Sequence, residues 1–138
     1  MIGDKENLKI CLIEDDESLR FTIKEILEKQ DVQIIEAENG KVGMDILQNE
    51  EIKPDLILLD LMMPVMNGFE FLKAIRETEL NSIPILVLTG AELSGDEKTF
   101  LLGETQRILE KSEDTMSTIV NEVSNVIKAS SFKNGDSK

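Results

Sequence analysis

Short apolar runs alternate along this chain with amphipathic helical stretches, and few folds can accommodate that alternation. Residues 8–13, 33–37, 55–59 and 85–88 each have the length and character of a buried strand, and 107–110 reads as a weaker fifth. The run at 55–59 is almost wholly apolar after Asp55, as expected for a central strand covered on both faces. Helical spacing fills the intervals. Leu19, Ile23, Ile26 and Leu27 form a stripe within 17–29, and Val42, Ile46 and Leu47 one within 40–49 behind an Asn39 cap. Asn67 followed by Glu70 resembles a capping box for a helix reaching about residue 77. Ser94 with Glu97 starts another, for which Gly103 is the expected stop. Met116, Ile119, Val120, Val123, Val126 and Ile127 mark a last helix.

Right-handed crossovers are nearly obligatory in β-α-β units. Five such units predict an α/β protein with a flavodoxin-like (βα)5, doubly wound parallel sheet in strand order 2-1-3-4-5. One domain is expected over 1–130, followed by a polar, disordered tail over 131–138. No internal repeat or linker interrupts the chain.

Composition narrows the functional classes. Among 138 residues the formal net charge is −13, which opposes nucleic acid and anionic membrane surfaces as partners, since both call for basic patches. No apolar stretch approaches the roughly 20 residues of a membrane span, and residues 1–6 lack a signal peptide's apolar core. A cytoplasmic location is therefore expected. The single cysteine, Cys11, excludes an internal disulfide and sits in an apolar strand. The absence of histidine excludes a phosphohistidine, a histidine-based triad and a histidine-ligated metal, so any metal should prefer oxygen.

In doubly wound sheets the crevice at the carboxyl ends of the strands binds ligands. Glu14 and Asp15 follow the first strand, Asp60 the third, Thr89 the fourth and Lys111 the fifth. The expected strand order places Asp15 beside Asp60 at the switch point. Two carboxylates a few ångströms apart repel by about 3 kcal/mol at an effective dielectric near 20, unless a cation neutralises them or one is protonated. Mg²⁺ suits such a site because it takes one or two carboxylates and completes its shell with water and phosphate oxygens. Asp60 is the candidate nucleophile toward a phosphoryl centre, Thr89 a hydroxyl donor, and Lys111 a point charge for an anion.

These residues, with the run Asp60-Leu61-Met62-Met63-Pro64-Val65-Met66-Asn67-Gly68, together resemble the receiver domain of two-component response regulators. The resemblance spans 8–129. It implies that Asp60 accepts a phosphoryl group from the phosphohistidine of a sensor histidine kinase or histidine phosphotransferase. It further implies that Asp15, Asp60 and the backbone carbonyl of Met62 bind Mg²⁺ directly, with Glu14 helping through water. Thr89 would move toward the phosphoryl group and Lys111 would pair with it, and phosphorylation would thereby shift an existing equilibrium and remodel the face around the fourth helix, fifth strand and fifth helix. Such a protein is a signalling phosphoacceptor in a phosphorelay, not an enzyme that turns over a substrate.

Three positions depart from the family pattern. Ile108 stands where an aromatic residue is usual, Ser112 where proline follows the lysine, and Gly90 where alanine is common. A cis peptide before serine would cost about 3 kcal/mol. These variations are similar to those of receivers attached to hybrid sensor kinases. A stand-alone receiver is the leading expectation, with docking or onward transfer to another protein as its readout, although a receiver cut from a larger kinase would read the same. Two other classes compete. A phosphatase using an aspartyl-phosphate intermediate needs an acid two residues past the nucleophile, where this chain has Met62. A pseudo-receiver scaffold that never carries phosphate draws support from Ile108 and Ser112 but is opposed by Glu14, Asp15, Asp60, Thr89 and Lys111.

Overall fold

The computed structural model describes residues 7–49 and 51–135. Five parallel strands form one sheet: β1 (Lys9–Ile13), β2 (Gln33–Ala37), β3 (Leu56–Asp60), β4 (Ile85–Thr89) and β5 (Arg107–Glu110). Their order across the sheet is β2-β1-β3-β4-β5, as the sequence predicts. Helices α1 (Glu17–Glu28), α2 (Gly40–Leu47), α3 (Gly68–Arg76), α4 (Gly95–Glu104) and α5 (Glu113–Gly135) alternate with the strands.

Side chains alternate across a strand, so each strand feeds two cores. Leu12, Leu58 and Leu86 point to one face, where Ile23 and Leu27 of α1 and Ile119 and Val123 of α5 close over them. Ile13, Ile57, Leu59 and Val87 point to the other, against Met44 of α2, Phe71 of α3 and Leu101 of α4. Every residue of β3 and β4 is buried, which accounts for their nearly unbroken apolar character. Cys11 lies in the second core, and burial pushes its thiol pKa up to about 12.

The caps fall where the sequence places them. Asn39 accepts from the Val42 amide at 2.9 Å. Asn67 with Glu70, and Ser94 with Glu97, form reciprocal capping boxes. Helix α4, however, runs through Gly103 and ends one residue later. Thr105 stops it, returning both its backbone N–H and its hydroxyl to the Leu101 carbonyl. Helix α5 continues to Gly135, past the start of the expected tail at 131, because no glycine or proline interrupts 129–134. The tail's last residues, 136–138, lie outside the described residues. A 3-10 turn at Glu79–Ser82, between α3 and β4, is an addition to the sequence reading; the Thr78 hydroxyl caps it by accepting from the Leu80 amide at 3.1 Å.

Candidate functional site

Register brings the acidic residues together. Ile13 pairs with Leu59, so Glu14 and Asp60 leave adjacent strands at the same level. Asp60 pairs with Leu88, and Thr89 with Glu110, which carries the same row across β4 to Lys111. The Lys111 amide extends that ladder to the Thr89 carbonyl at 2.9 Å. Glu14, Asp15, Asp60, Thr89 and Lys111 thus stand together at the carboxyl edge of the sheet. Glu14, Asp15 and Asp60 each place a carboxylate oxygen within 4.8 Å of the others, with Glu14 and Asp60 buried and Asp15 exposed.

One cation sits among these anions. The Lys111 ammonium is 3.0 Å from Glu14 Oε1 and 3.1 Å from Asp60 Oδ1. Asp60 Oδ1 also accepts from the Met62 amide at 3.3 Å, and Glu14 Oε2 from the Asp16 amide at 3.1 Å. Two buried oxygens remain without a hydrogen bond among the described residues: Asp60 Oδ2, and Glu14 Oε1, which has the ammonium beside it only as an ion pair. Natural folds rarely leave buried polar atoms so, and such exceptions call for an explanation.

The electrostatics follow from this crowding. Burial, the largest cause, pushes the Glu14 carboxyl up to about 7, against the opposing pull of Lys111 and the Asp16 amide. Burial likewise raises Asp60, and neighbouring Asp15 adds to the rise. For Lys111, burial works to lower the pKa, but Glu14 and Asp60 more than offset it and hold the ammonium charged. The site is short of positive charge.

Thr89 is buried, and its Oγ1 accepts from the Ala91 amide at 3.0 Å, which leaves the O–H free to donate. The loop between β3 and α3 is drawn tight over the site. The Gly68 amide donates to the Leu61 carbonyl at 2.9 Å. A Cβ at Gly68 would stand 2.7 Å from the Asp60 carbonyl oxygen and 2.8 Å from Leu61 Cα, so only glycine admits that approach. Leu61 and Met63 anchor the loop inward, while Met62 and Val65 are 64% and 74% exposed. Val65 adopts φ of 69°, a left-handed conformation that is rare for a β-branched residue.

Two supporting residues escaped the sequence reading. Arg20 of α1 donates from Nη1 to the Glu14 carbonyl at 2.8 Å and pairs through Nε with Glu36 at 3.2 Å. Asp16 caps α1 by accepting from the Leu19 amide at 3.1 Å, while its own amide steadies Glu14. An aspartate directly ahead of the α1 apolar stripe was the available signal for the cap; nothing local in sequence marks Arg20. Ser112 also acquires a role. The Lys111–Ser112 peptide is trans, and Ser112 Oγ accepts from the Thr115 amide at 3.2 Å, capping the first turn of α5. The Thr115 hydroxyl in turn donates to the Glu110 carbonyl.

Comparison with known proteins identifies relatives of this chain. The transcriptional regulatory protein CpxR of Escherichia coli K12 is 40% identical over 85 residues, a match taking in 62% of this chain and 35% of CpxR. Hybrid signal transduction histidine kinase I of Dictyostelium discoideum is 36% identical over 99 residues, covering 67% of this chain and 6% of the kinase. The chain therefore corresponds to only a part of these relatives. The crystal structure of the Mn²⁺-bound response regulator Rcp1 superposes with a TM-score of 0.73 at 28% identity, covering 84% of this chain and 91% of that one. The model of the response regulator receiver domain matches residues 10–124, and the chain belongs to that family.

Proposed function

We propose that this receiver accepts a phosphoryl group on Asp60 from the phosphohistidine of a sensor histidine kinase or histidine phosphotransferase, and that the change alters its protein contacts. The observation that carries this reading is Asp60 Oδ2, buried, without a hydrogen bond and surrounded by further carboxylates. In the reaction an Asp60 oxygen forms the new bond to phosphorus, the nitrogen–phosphorus bond breaks, and its electron pair stays with the departing imidazole.

The residues present fit Mg²⁺. Oxygen ligands suit a hard cation, the unpartnered Asp60 Oδ2 is open to one, and the cluster has more negative charge than Lys111 offsets. Asp15, Asp60 and the Met62 carbonyl would hold the ion, with Glu14 behind them. When bound, it supplies charge neutralisation that lowers the repulsion between two anions. The similarity to a response regulator, Rcp1, whose structure is Mn²⁺-bound supports a divalent cation as a ligand of this chain.

The chain's own groups supply the rest. Lys111, 3.1 Å from Asp60 Oδ1, attracts the incoming anion and holds the acceptor's other oxygen. The free hydroxyl hydrogen of Thr89 donates to a phosphoryl oxygen once the group is attached. The chain acts as a signalling acceptor: Met62 cannot serve as the acid two residues past the acceptor that a phosphatase of the aspartyl-phosphate type requires. Among the described residues no helix is long and apolar enough to cross a membrane.

Incubation with acetyl phosphate and Mg²⁺, read by intact mass spectrometry, should add one phosphoryl group to the wild type and none to Asp60→Asn. An unchanged wild-type mass, with a phosphorylated kinase tried as second donor, would leave only the scaffold reading.

A further inference from the structure

The turn that carries Glu14 and Asp15 is held from outside the acidic cluster. The Glu14 amide donates to the Ala37 carbonyl at the end of β2, at 3.0 Å. The Glu14 carbonyl, part of the peptide that joins Glu14 to Asp15, accepts from Arg20 Nη1 at 2.8 Å. Arg20 is itself anchored at two places. Its amide donates to the Asp16 carbonyl at 2.8 Å in the first turn of α1, and its Nε donates to Glu36 Oε1 at 3.2 Å. Glu36 stands on β2 opposite Leu12 of β1, and Lys24, one turn along α1, donates to its second oxygen at 3.1 Å. One guanidinium thus ties α1 and β2 to a single peptide plane, using a rigid fork of donors that an ammonium lacks. Asp15 is exposed, so packing does little to aim its carboxylate, and the orientation of the peptide on its N-terminal side decides where it points.

We propose that Arg20 is a positioning residue for the acidic cluster: by fixing the Glu14–Asp15 peptide it holds the Glu14 and Asp15 carboxylates where they take a divalent cation together with Asp60. This role rests on the reading of Asp15, Asp60 and the Met62 carbonyl as cation ligands. Groups that stand behind metal ligands set their aim, and losing one typically costs roughly 10–100-fold in metal affinity. The sign of the effect separates positioning from charge. Arg20 brings a positive charge toward a site that takes a cation, so by field alone its removal would tighten cation binding. Loss of the clamp weakens it.

The test titrates Mg²⁺ into the full isotope-labelled chain at constant ionic strength, read by amide NMR at Asp15 and Asp60. Arg20→Met, which keeps the apolar stem and drops the fork, should bind Mg²⁺ at least about tenfold more weakly than wild type. Arg20→Lys, which keeps the charge but cannot hold carbonyl and carboxylate in one plane, should also bind more weakly. Arg107→Met, which breaks the ion pair of Arg107 with Glu122 at 2.7 Å between β5 and α5, should bind as wild type does. In EDTA, the Glu14 and Asp16 amides should exchange with deuterium faster in both Arg20 variants, while those of β4 keep their protection. Wild-type affinity in either Arg20 variant, tighter binding in Arg20→Met, an equal loss in Arg107→Met, or unchanged exchange at Glu14 and Asp16 overturns the proposal. Should Arg20→Met not fold, Arg20→Lys alone decides. A wild type that takes no Mg²⁺ refutes the cation reading instead, and the exchange rates still decide whether Arg20 holds the turn.

Discussion

Replacing Asp60 by asparagine should make the metal-free protein more stable. The side chains are nearly isosteric, so the change is chiefly one of charge. With carboxylate oxygens of Glu14 and Asp15 within 4.8 Å, each repulsion on Asp60 is worth about 3.5 kcal/mol at an effective dielectric of 20. The Lys111 ammonium at 3.1 Å returns about 5 kcal/mol on the same scale. Exposure of Asp15 screens its share, while burial of Asp60 adds a desolvation cost that removal of the charge relieves. The balance favours asparagine by about 1–2 kcal/mol in EDTA at pH 8 and low salt. Urea unfolding followed by far-UV circular dichroism measures it, as the chain has no tryptophan or tyrosine to report. Millimolar Mg²⁺ should stabilise the wild type by mass action and close the gap, because the variant has lost a ligand. An asparagine variant that is less stable than wild type in EDTA, or a gap indifferent to Mg²⁺, refutes the crowded-anion argument.

Three further outcomes are expected. Met62→Asn should shorten the half-life of the acyl phosphate, followed by loss of phosphoryl mass after donor removal, since an amide at this 64% exposed position can orient water and a thioether cannot. Val65→Asn should raise unfolding stability by about 1 kcal/mol, because asparagine tolerates the left-handed backbone that valine resists; an unchanged urea midpoint would count against strain at φ of 69°. Ser112→Ala should cost about 1 kcal/mol through loss of the α5 cap, with Ser112→Asp keeping most of it; equal stability of all three would deny the cap.

Much of this architecture was legible because side-chain period and burial are local properties. The apolar runs at 8–13, 55–59 and 85–88 named the strands, and the pairs Asn67/Glu70 and Ser94/Glu97 named two helix starts. Boundaries were blurred where a polar residue stays in the ladder. Asp60 and Thr89 belong to β3 and β4 themselves, because pairing with Leu88 and Glu110 continues past the apolar run. Gly103 misled in the opposite sense: a single glycine is tolerated inside a helix when a following residue, here Thr105, supplies the stop. At the site, strand order alone gathered Glu14, Asp15, Asp60, Thr89 and Lys111. What stayed hidden depends on three-dimensional packing: the reach of Arg20 to the Glu14 carbonyl and the strained backbone of Val65.

The trans serine after Lys111 has a mechanical consequence. Glu110 is fastened to Thr115 by that residue's hydroxyl, and Ser112 to the same threonine by its own, so Lys111 sits in a short loop tied at both ends. A pull on the ammonium from the acidic pocket would therefore meet the first turn of α5 through two hydrogen bonds. The first turn of the long terminal helix is thereby tethered to the loop that carries the ammonium of the acidic site.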